Sequence, residues 1–465
     1  MKLRKKFICL ISVITLLAGS LSGKIYAAEA AENPQYWPVG PDVQSAAAIV
    51  VEMETGAVLY EKNVHNVHYP ASITKILTTL LAVENSNMDE VVTFSEDSVF
   101  KTEGSGIARD VGEQMTMEQC LYAVMLESAN ECAYAVGEHV AGDITSFVNM
   151  MNTRAAELGC QNTHFNNSSG LPDEQHYTTA YDMALIAREA YRNEKFRTIC
   201  GTKQYTIPFT NKHTDEETYL RNHHQMFFPL KTSKYLYEYC VGGKTGYTTV
   251  ANSTLVTYAE KDGMSLACVV LNAPSGGHYE DTRALFDFCY DNFKMVNVEE
   301  NETSYKEEKK EYNSFVDIDS SGRIVLPLNA QFSDAKSEIV YAKDSEEVLG
   351  SIQYTYAEHY VGGADIVASE DAVVETFEFR QQDTEITSEE NKDGVEKSIK
   401  INMKAILKWV GIGIFAIILL ILLWKFFDNF YNIKRKLRLN RREKSPYKVI
   451  KTNKMYRRRR GRRRY

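Results

Sequence analysis

The sequence contains no Cys-x-x-Cys pair and no His-Glu-x-x-His segment, which excludes the common zinc knuckle and the zinc-peptidase helix. His65, His68, His164, His176, His223, His224 and His278 fall at no metal-ligand spacing. Surface or packing roles are expected of them, and no metal or cofactor is expected. No internal repeat is present, which argues against a solenoid or a propeller. A disulfide scaffold is excluded as well. Of eight cysteines, Cys9 lies in the apolar N-terminal stretch, and Cys120, Cys132, Cys160, Cys200, Cys240, Cys268 and Cys289 are scattered and odd in number. Buried free thiols are the expectation, with one or two bridges at most left open.

Evenly spread charge is also lacking. The net charge of −9 conceals two compartments. Residues 425–465 hold eighteen Lys and Arg against Asp428 and Glu443, and the first 28 residues hold five cations. Once Lys404 and Lys408 are counted too, residues 29–403 are left at −32. The ends account for this split. "KLRKK" (2–6), the apolar "FICLISVITLLA" (7–18) and small residues at Ala27, Ala28 and Ala30 have the layout of a secretory signal peptide, assigned to 1–28. An uncleaved anchor is the alternative.

Residues 405–424 are apolar except for Lys408, roughly 30 Å as a helix and enough for a bilayer core. Trp409 and Trp424 stand where interfacial aromatics belong. A transmembrane helix is therefore expected at 404–424, after an acidic linker at 382–403. The basic flank puts 425–465 in the cytoplasm and the acidic body outside. "RRRRGRRRY" (457–465) also suits nucleic acid, but a tail beside anionic lipid accounts for it better. No nucleic-acid partner is expected.

The body reads as two domains, at 35–297 and 310–381. In the first, "AAAIVVEME" and "TGAVLYEKN" form a hairpin turning near Thr55-Gly56. Helical periodicity follows at 72–84, 116–140 and 144–158. Another helix is expected at 176–193, with Thr179 and Asp182 as its N-terminal signature. Strand patterns return at 236–241, 253–260 and 264–272, the last two joined at Asp262-Gly263. Strands at both ends of a helical middle imply an α+β domain whose termini meet in one antiparallel sheet. Beyond a charged connector the second domain is small and β-rich. Ile352, Tyr354 and Tyr356 share one strand face, as do Phe377 and Phe379 in "VVETFEF".

The chemistry concentrates in "YPASITKILTTLL" (69–81). Ser-x-x-Lys by itself is weak, and it recurs at Ser98/Lys101 and Ser445/Lys448. Only Ser72, two residues after Pro70, stands at the head of an apolar helix. Residues three apart share a helical face, so Lys75 can reach the Ser72 hydroxyl. Burial among Ile73, Ile76, Leu77 and Leu80, with the positive helix end, disfavours an ammonium there. A base must fall from about 10.4 toward about 7–8 to take a serine proton at neutral pH. A snorkelling lysine on a core helix is the competing explanation. Two further motifs tip the balance. Ser128-Ala129-Asn130 follows an apolar helical run, and Lys244-Thr245-Gly246 opens a strand-rich section, where glycines allow close backbone approach to a ligand.

"YPASITK", "SAN" and "KTG", in that order, resemble the serine penicillin-binding proteins and β-lactamases. "SGLPDEQHYTTAYDMALIAREA" and "GGKTGYT…AEKDGMSLACVVLNAP" are similar to the low-molecular-mass D-alanyl-D-alanine carboxypeptidases, the peptidase S11 group. The resemblance covers residues 35–295 closely. It implies a β-lactamase/transpeptidase-like domain and an acyl-enzyme on Ser72, with Lys75 as base, Ser128 as proton relay and Asn130 holding substrate and Lys75. It implies that Lys244, Thr245, Gly246 and Tyr247 bind substrate, Lys244 and Thr245 meeting its terminal carboxylate. The Ser72 and Tyr247 N–H groups would form the oxyanion hole. The implied partners are a peptidoglycan stem peptide ending in D-Ala-D-Ala, with β-lactams as covalent inhibitors. Ala129 departs from the frequent glycine, and the long basic tail departs from the shorter anchors of many relatives. A D,D-endopeptidase, a β-lactamase using Glu174, and a non-catalytic wall-binding scaffold are the alternatives.

Overall fold

The computed structural model describes residues 36–302, 316–341 and 348–368, all within one compact unit, Met1–Glu375. The signal segment, most of the charged connector, "VVETFEF", the acidic linker, the apolar run 404–424 and the basic tail lie outside the described residues. Among the described residues, no helix is long and apolar enough to cross a membrane.

Strands β1 (Ala47–Glu52) and β2 (Val58–Lys62) form the expected hairpin. Its turn uses Gly56 at φ +79°, and Glu52 accepts from the Thr55 N–H and hydroxyl at 2.7 Å each. A short 3₁₀ turn, Ala71–Thr74, leads into α1 (Lys75–Asn85). After β3 (Val91–Thr93), α2 (Glu96–Phe100) and β4 (Gln114–Thr116), the stretch expected as one helix over 116–140 is divided. Helix α3 (Met117–Tyr122) widens into a π turn at Ala123–Glu127, Ser128 is left-handed at φ +62°, and α4 (Asn130–Ala141) starts anew. Apolar periodicity runs through the interruption because Val124, Met125 and Leu126 within it are buried, as are Leu121 before it and Cys132 and Ala133 after it.

Helices α5 (Ile144–Glu157) and α6 (Ala180–Arg192) follow. The latter starts four residues later than the pattern suggested, at the point where Thr179 caps the Asp182 N–H at 3.1 Å. Residues 177 and 178 are instead held in bridges to His164 and His68. Helix α7 (Glu194–Cys200) and the small hairpin β5 (Gln204–Ile207)–β6 (Thr218–Arg221) come next. The strand expected at 236–241 begins only at Cys240, as β7 (Cys240–Thr248). Strands β8 (Asn252–Lys261) and β9 (Met264–Ala273) turn at Asp262-Gly263, both with positive φ, as a two-residue primed turn requires.

The antiparallel sheet runs β2-β1-β9-β8-β7, so the two ends of the domain do meet in it. Alternation along the strands divides the core. Ile49, Val51, Val256, Tyr258 and Val269 pack under the helical cluster. Val50, Leu255, Leu266 and Val270 face α8 (Gly277–Asn292), which covers the other side. The resulting architecture is mixed: helices, one antiparallel sheet, then a helix.

A second antiparallel sheet follows, with order β10-β12-β15-β14-β13 and β11 beside β15. Its strands are β10 (Phe293–Asn297), β11 (Val316–Ile318), β12 (Arg323–Pro327), β13 (Lys336–Tyr341), β14 (Val348–Tyr356) and β15 (His359–Ala368). Ile352, Tyr354 and Tyr356 lie on one buried face against Ile324, Leu326 and Val361. Strand β10 leaves α8 directly to pair with β12, so this sheet reaches back to Phe293.

Candidate active site

Three separate parts of the chain converge on the Ser72 turn. Thr254 of β8 donates to the Pro70 carbonyl at 2.7 Å. Gly246 of β7 lies so close that a Cβ there would stand 2.9 Å from the Ser72 nitrogen. On the opposite side Gly170, at φ +86°, approaches until a Cβ would meet the Ala71 carbonyl oxygen at 1.9 Å. A buried chain of hydrogen bonds fixes the turn from beneath. His176 Nδ1 accepts the Asn166 N–H at 3.0 Å, which leaves Nε2–H to donate to Thr74 Oγ1 at 2.9 Å. The Thr74 hydroxyl in turn donates to the Ala71 carbonyl at 2.9 Å. Burial drives the His176 pKa down to about 3, so the ring is neutral and structural.

Lys75 is wholly buried. Its Nζ donates to Asn130 Oδ1 at 2.6 Å and to the Ser169 carbonyl at 2.6 Å, and it lies 3.4 Å from Ser72 Oγ. Burial, and then the nearby Lys244 charge, hold its pKa well below the ordinary lysine value; Glu131 and Cys132 oppose this. The amine is thus disposed toward the neutral form and placed beside a hydroxyl. Asn130 is itself fixed. Its amide donates to the Glu103 carbonyl, and its backbone N–H donates to the Ser105 carbonyl at 2.9 Å. Ser128 Oγ is buried and has no hydrogen-bond partner among the described residues, as suits a group awaiting a ligand.

Lys244, Thr245, Gly246 and Tyr247 lie on β7, paired with Val256, Leu255, Thr254 and Ser253 of β8. Lys244 is buried, and burial pulls its pKa down to about 7, with Glu127 acting in the other direction. Its Nζ donates to the Thr245 carbonyl at 2.9 Å. Tyr247 is 68% exposed. A cleft of about 290 Å³ opens over the group, and Ser72, Asn130, Ser169 and Tyr247 are among the residues that line it. Gly104 and Ser105, in the loop before β4, form part of the wall on the helical side, while Thr248 at the end of β7 and Val250 in the turn after it lie on the other. Among the described residues no carboxylate lines the cleft, and Glu174 is exposed outside it.

The structure thus brings the Ser-x-x-Lys, Ser-x-Asn and Lys-Thr-Gly residues into one place. Sequence reasoning missed the Ser169 carbonyl and the side chain that shapes its loop. Asn167 Oδ1 accepts from the N–H groups of Ser169, Gly170 and Leu171 at 3.1, 2.7 and 3.1 Å. The Asn-Ser-Ser-Gly order is a turn signature that could have exposed this. The Gly104-Ser105 wall carries no comparable pattern.

Among the described residues, Asp110, Glu113 and His213 are close enough to share an ion. They lie outside the cleft lining. Glu113 already accepts from Arg109 at 2.8 Å, from Thr210 at 2.8 Å and from the Asp110 N–H at 2.9 Å. A cation would have to displace the buried Arg109 pair, so the trio does not make a metal centre.

Comparison with known proteins gives a consistent picture. A family model described as D-alanyl-D-alanine carboxypeptidase matches residues 30–275. The D-alanyl-D-alanine carboxypeptidase DacF of Bacillus subtilis is 32% identical over 309 residues, spanning 64% of this chain and 76% of that protein. The D-alanyl-D-alanine carboxypeptidase of Streptomyces sp. strain K15 is 31% identical over 288 residues, 59% of this chain and 94% of that one. Among solved structures, a D-alanyl-D-alanine carboxypeptidase from Mycobacterium tuberculosis aligns with TM-score 0.50 at 28% identity, covering 55% of this chain and 94% of that one. A point mutant of the Streptomyces K15 DD-transpeptidase gives TM-score 0.50 and 28% identity, covering 54% and 99%.

Proposed function

The chain belongs to the D-alanyl-D-alanine carboxypeptidase family, and from that premise we propose that Ser72 removes the terminal D-alanine of peptidoglycan stem peptides through an acyl-enzyme. The observation that carries the assignment is the buried Lys75 amine, held by two carbonyl-type oxygens 3.4 Å from the Ser72 hydroxyl with no carboxylate among its hydrogen-bond partners.

Lys75 Nζ takes the Ser72 proton as Oγ attacks the carbonyl carbon of the penultimate D-alanine. The N–H groups of Ser72 and Tyr247 receive the oxyanion, an effect typically worth about 2.7–4 kcal/mol per donor. The proton returns by way of Ser128 to the leaving amine as the C–N bond breaks. Lys244 and Thr245 hold the substrate's carboxylate. Water then opens the ester, its proton passing to Lys75, and Ser72 is regenerated. Among the described residues no carboxylate lines the cleft to hold a water for fast attack on a β-lactam ester, which favours a penicillin-sensitive peptidase over a β-lactamase.

Incubating the purified protein with a diacyl-Lys-D-Ala-D-Ala tripeptide should release D-alanine. Ser72→Ala should abolish both that release and covalent labelling by a fluorescent penicillin. Labelling at any other residue would overturn the assignment. For the free enzyme kcat/KM should decline above about 7, where Lys244 loses its charge; its acid limb should report protonation of Lys75.

The proposal includes location. Supported by the apolar run at 405–424 and its basic flank, residues 29–403 work outside the cell membrane, anchored by one span with 425–465 inside. Ending the chain before Ala405 should move penicillin labelling from the membrane to the soluble fraction. A full-length protein already soluble would contradict this.

A further inference from the structure

Ser128 has an exacting position, fixed by its backbone N–H donating to the Ala123 carbonyl and not by its side chain. It is left-handed at φ +62°, a conformation that disfavours residues with a Cβ, and its hydroxyl has no hydrogen-bond partner among the described residues. Its location is therefore dictated by the backbone on either side. Asn130 secures one side through Lys75 and the Glu103 and Ser105 carbonyls. The other side is the π turn, whose last residue is Glu127.

Glu127 does not end in solvent. One carboxylate oxygen accepts the Arg221 N–H at 2.8 Å, and the other accepts from His223 Nε2 at 2.8 Å. Arg221 closes β6, and His223 lies in the segment that leads from β6 toward β7, which carries Lys244. A single side chain thus spans from the helical wall of the cleft to the chain that feeds its sheet wall. The Glu127 and His223 side chains are 20% and 39% exposed. An ion pair on a surface contributes little, but here half of the contact is a main-chain N–H, and the residue that accepts it adjoins the left-handed Ser128. Burial raises the Glu127 pKa, yet the His223 and Arg221 contacts outweigh it and the carboxyl remains below its ordinary value. Lys244 is faced by Glu127, Lys75 and His224, and of these Glu127 alone favours its ammonium.

We propose that Glu127 is a positioning residue for the reaction: its carboxylate fastens the Ser128 turn to the end of β6 and the segment after it, and sets its charge against Lys244. This rests on the reading of the Ser72 site given above.

The test compares Glu127→Gln, which keeps an acceptor for Arg221 and removes the charge, with Glu127→Ala and His223→Gln in the full-length protein. The measurements are kcat and KM for the tripeptide across the neutral range, the rate of fluorescent-penicillin labelling, and Tm. For Glu127→Gln, KM should rise several-fold with kcat within about threefold, since a carboxylate contact made equally in ground and transition states is weakened. The alkaline limb of kcat/KM should move down by roughly half a pH unit, because Lys244 has lost its opposite charge. His223→Gln leaves the Glu127 charge less shielded, so that limb should move up or stay. Glu127→Ala, which also frees the turn, should slow labelling by about tenfold or more, in the range of a misplaced proton-transfer group. Unchanged KM and pH profile in Glu127→Gln would overturn the proposal whatever happens to Tm, because labelling counts the folded sites. Wild-type protein that fails to label at Ser72 would instead remove the underlying functional reading.

Discussion

His176 shows how a residue beside the site contributes without touching substrate. Its neutral ring relays a hydrogen bond through Thr74 to the turn that carries Ser72. The folded-state pKa, near 3, lies below the ordinary value of 6.5. Between those values the unfolded chain binds a proton that the folded chain refuses. Stability therefore declines as pH falls through that window, by on the order of 1.4 kcal/mol per pH unit for each such group. His224, also near 3 through burial, adds a second contribution of the same sign. Thermal unfolding from pH 7 down to about 4 should show a shallower decline in His176→Gln than in wild type, by roughly one proton's worth of slope. Parallel curves would mean that the ring is not held neutral. Little of this was legible in the sequence, where His176 has no metal spacing and no partner within reach along the chain. Its partner, Thr74, is 102 residues away, and only folding joins them. Lys75 differs because its partner Ser72 is local, so an apolar helix and an i,i+3 spacing were enough to single it out.

At the scale of elements, the readable parts were those whose periodicity agrees with their environment. Strands β8 and β9 alternate between two buried faces around a primed turn, and the sequence states both facts. Helix α6 was readable, but its start was not, because Thr179 caps a helix whose preceding residues bridge elsewhere. The division of 116–140 had no local cause to detect, since it depends on contacts that Glu127 and Asn130 make with distant segments. Loop 167–172 is the element that most constrains the nucleophile. Gly170 combines a left-handed φ with a contact that a Cβ would compress to 1.9 Å. Ala71 is backbone there and cannot rotate away. Gly170→Ala should therefore displace either the loop, taking the Ser169 carbonyl from Lys75, or the Ser72 turn itself. We expect a destabilisation of about 2–4 kcal/mol, from strain plus overpacking, and loss of most penicillin labelling in protein that is still folded. Labelling at the wild-type rate would show that the turn does not depend on this contact.

For the whole molecule, the catalytic layers and the second sheet are two cores joined by several side chains. Trp37 is one of them. Its ring stacks on His359 of β15 at 4.1 Å and tilts against Phe293 of β10 at 5.0 Å, and it packs on the clusters of both sheets. Strand β10 supplies the covalent counterpart, since it leaves α8 and enters the second sheet without a loop. The sequence separated these bodies by composition and placed Ile352, Tyr354 and Tyr356 on one face, but gave no sign that residues near 37 and 293 clasp them. Single aromatic residues far from a motif carry no periodicity to read. Trp37→Ala removes one noncovalent part of the clasp, with Val325 and Met295 still packed on the first core, and changes no residue around Ser72. A part-exposed tryptophan loses less than the 3–5 kcal/mol of a fully buried one, so a cost of about 2 kcal/mol is expected. The informative result concerns cooperativity. If Trp37 couples the two cores, calorimetry of the variant should resolve two transitions, or a calorimetric enthalpy above the van't Hoff value. Penicillin labelling should persist until the later transition. One sharp transition merely shifted downward would mean that β10 and the contacts left in place, Val325 among them, suffice to make the two sheets unfold together.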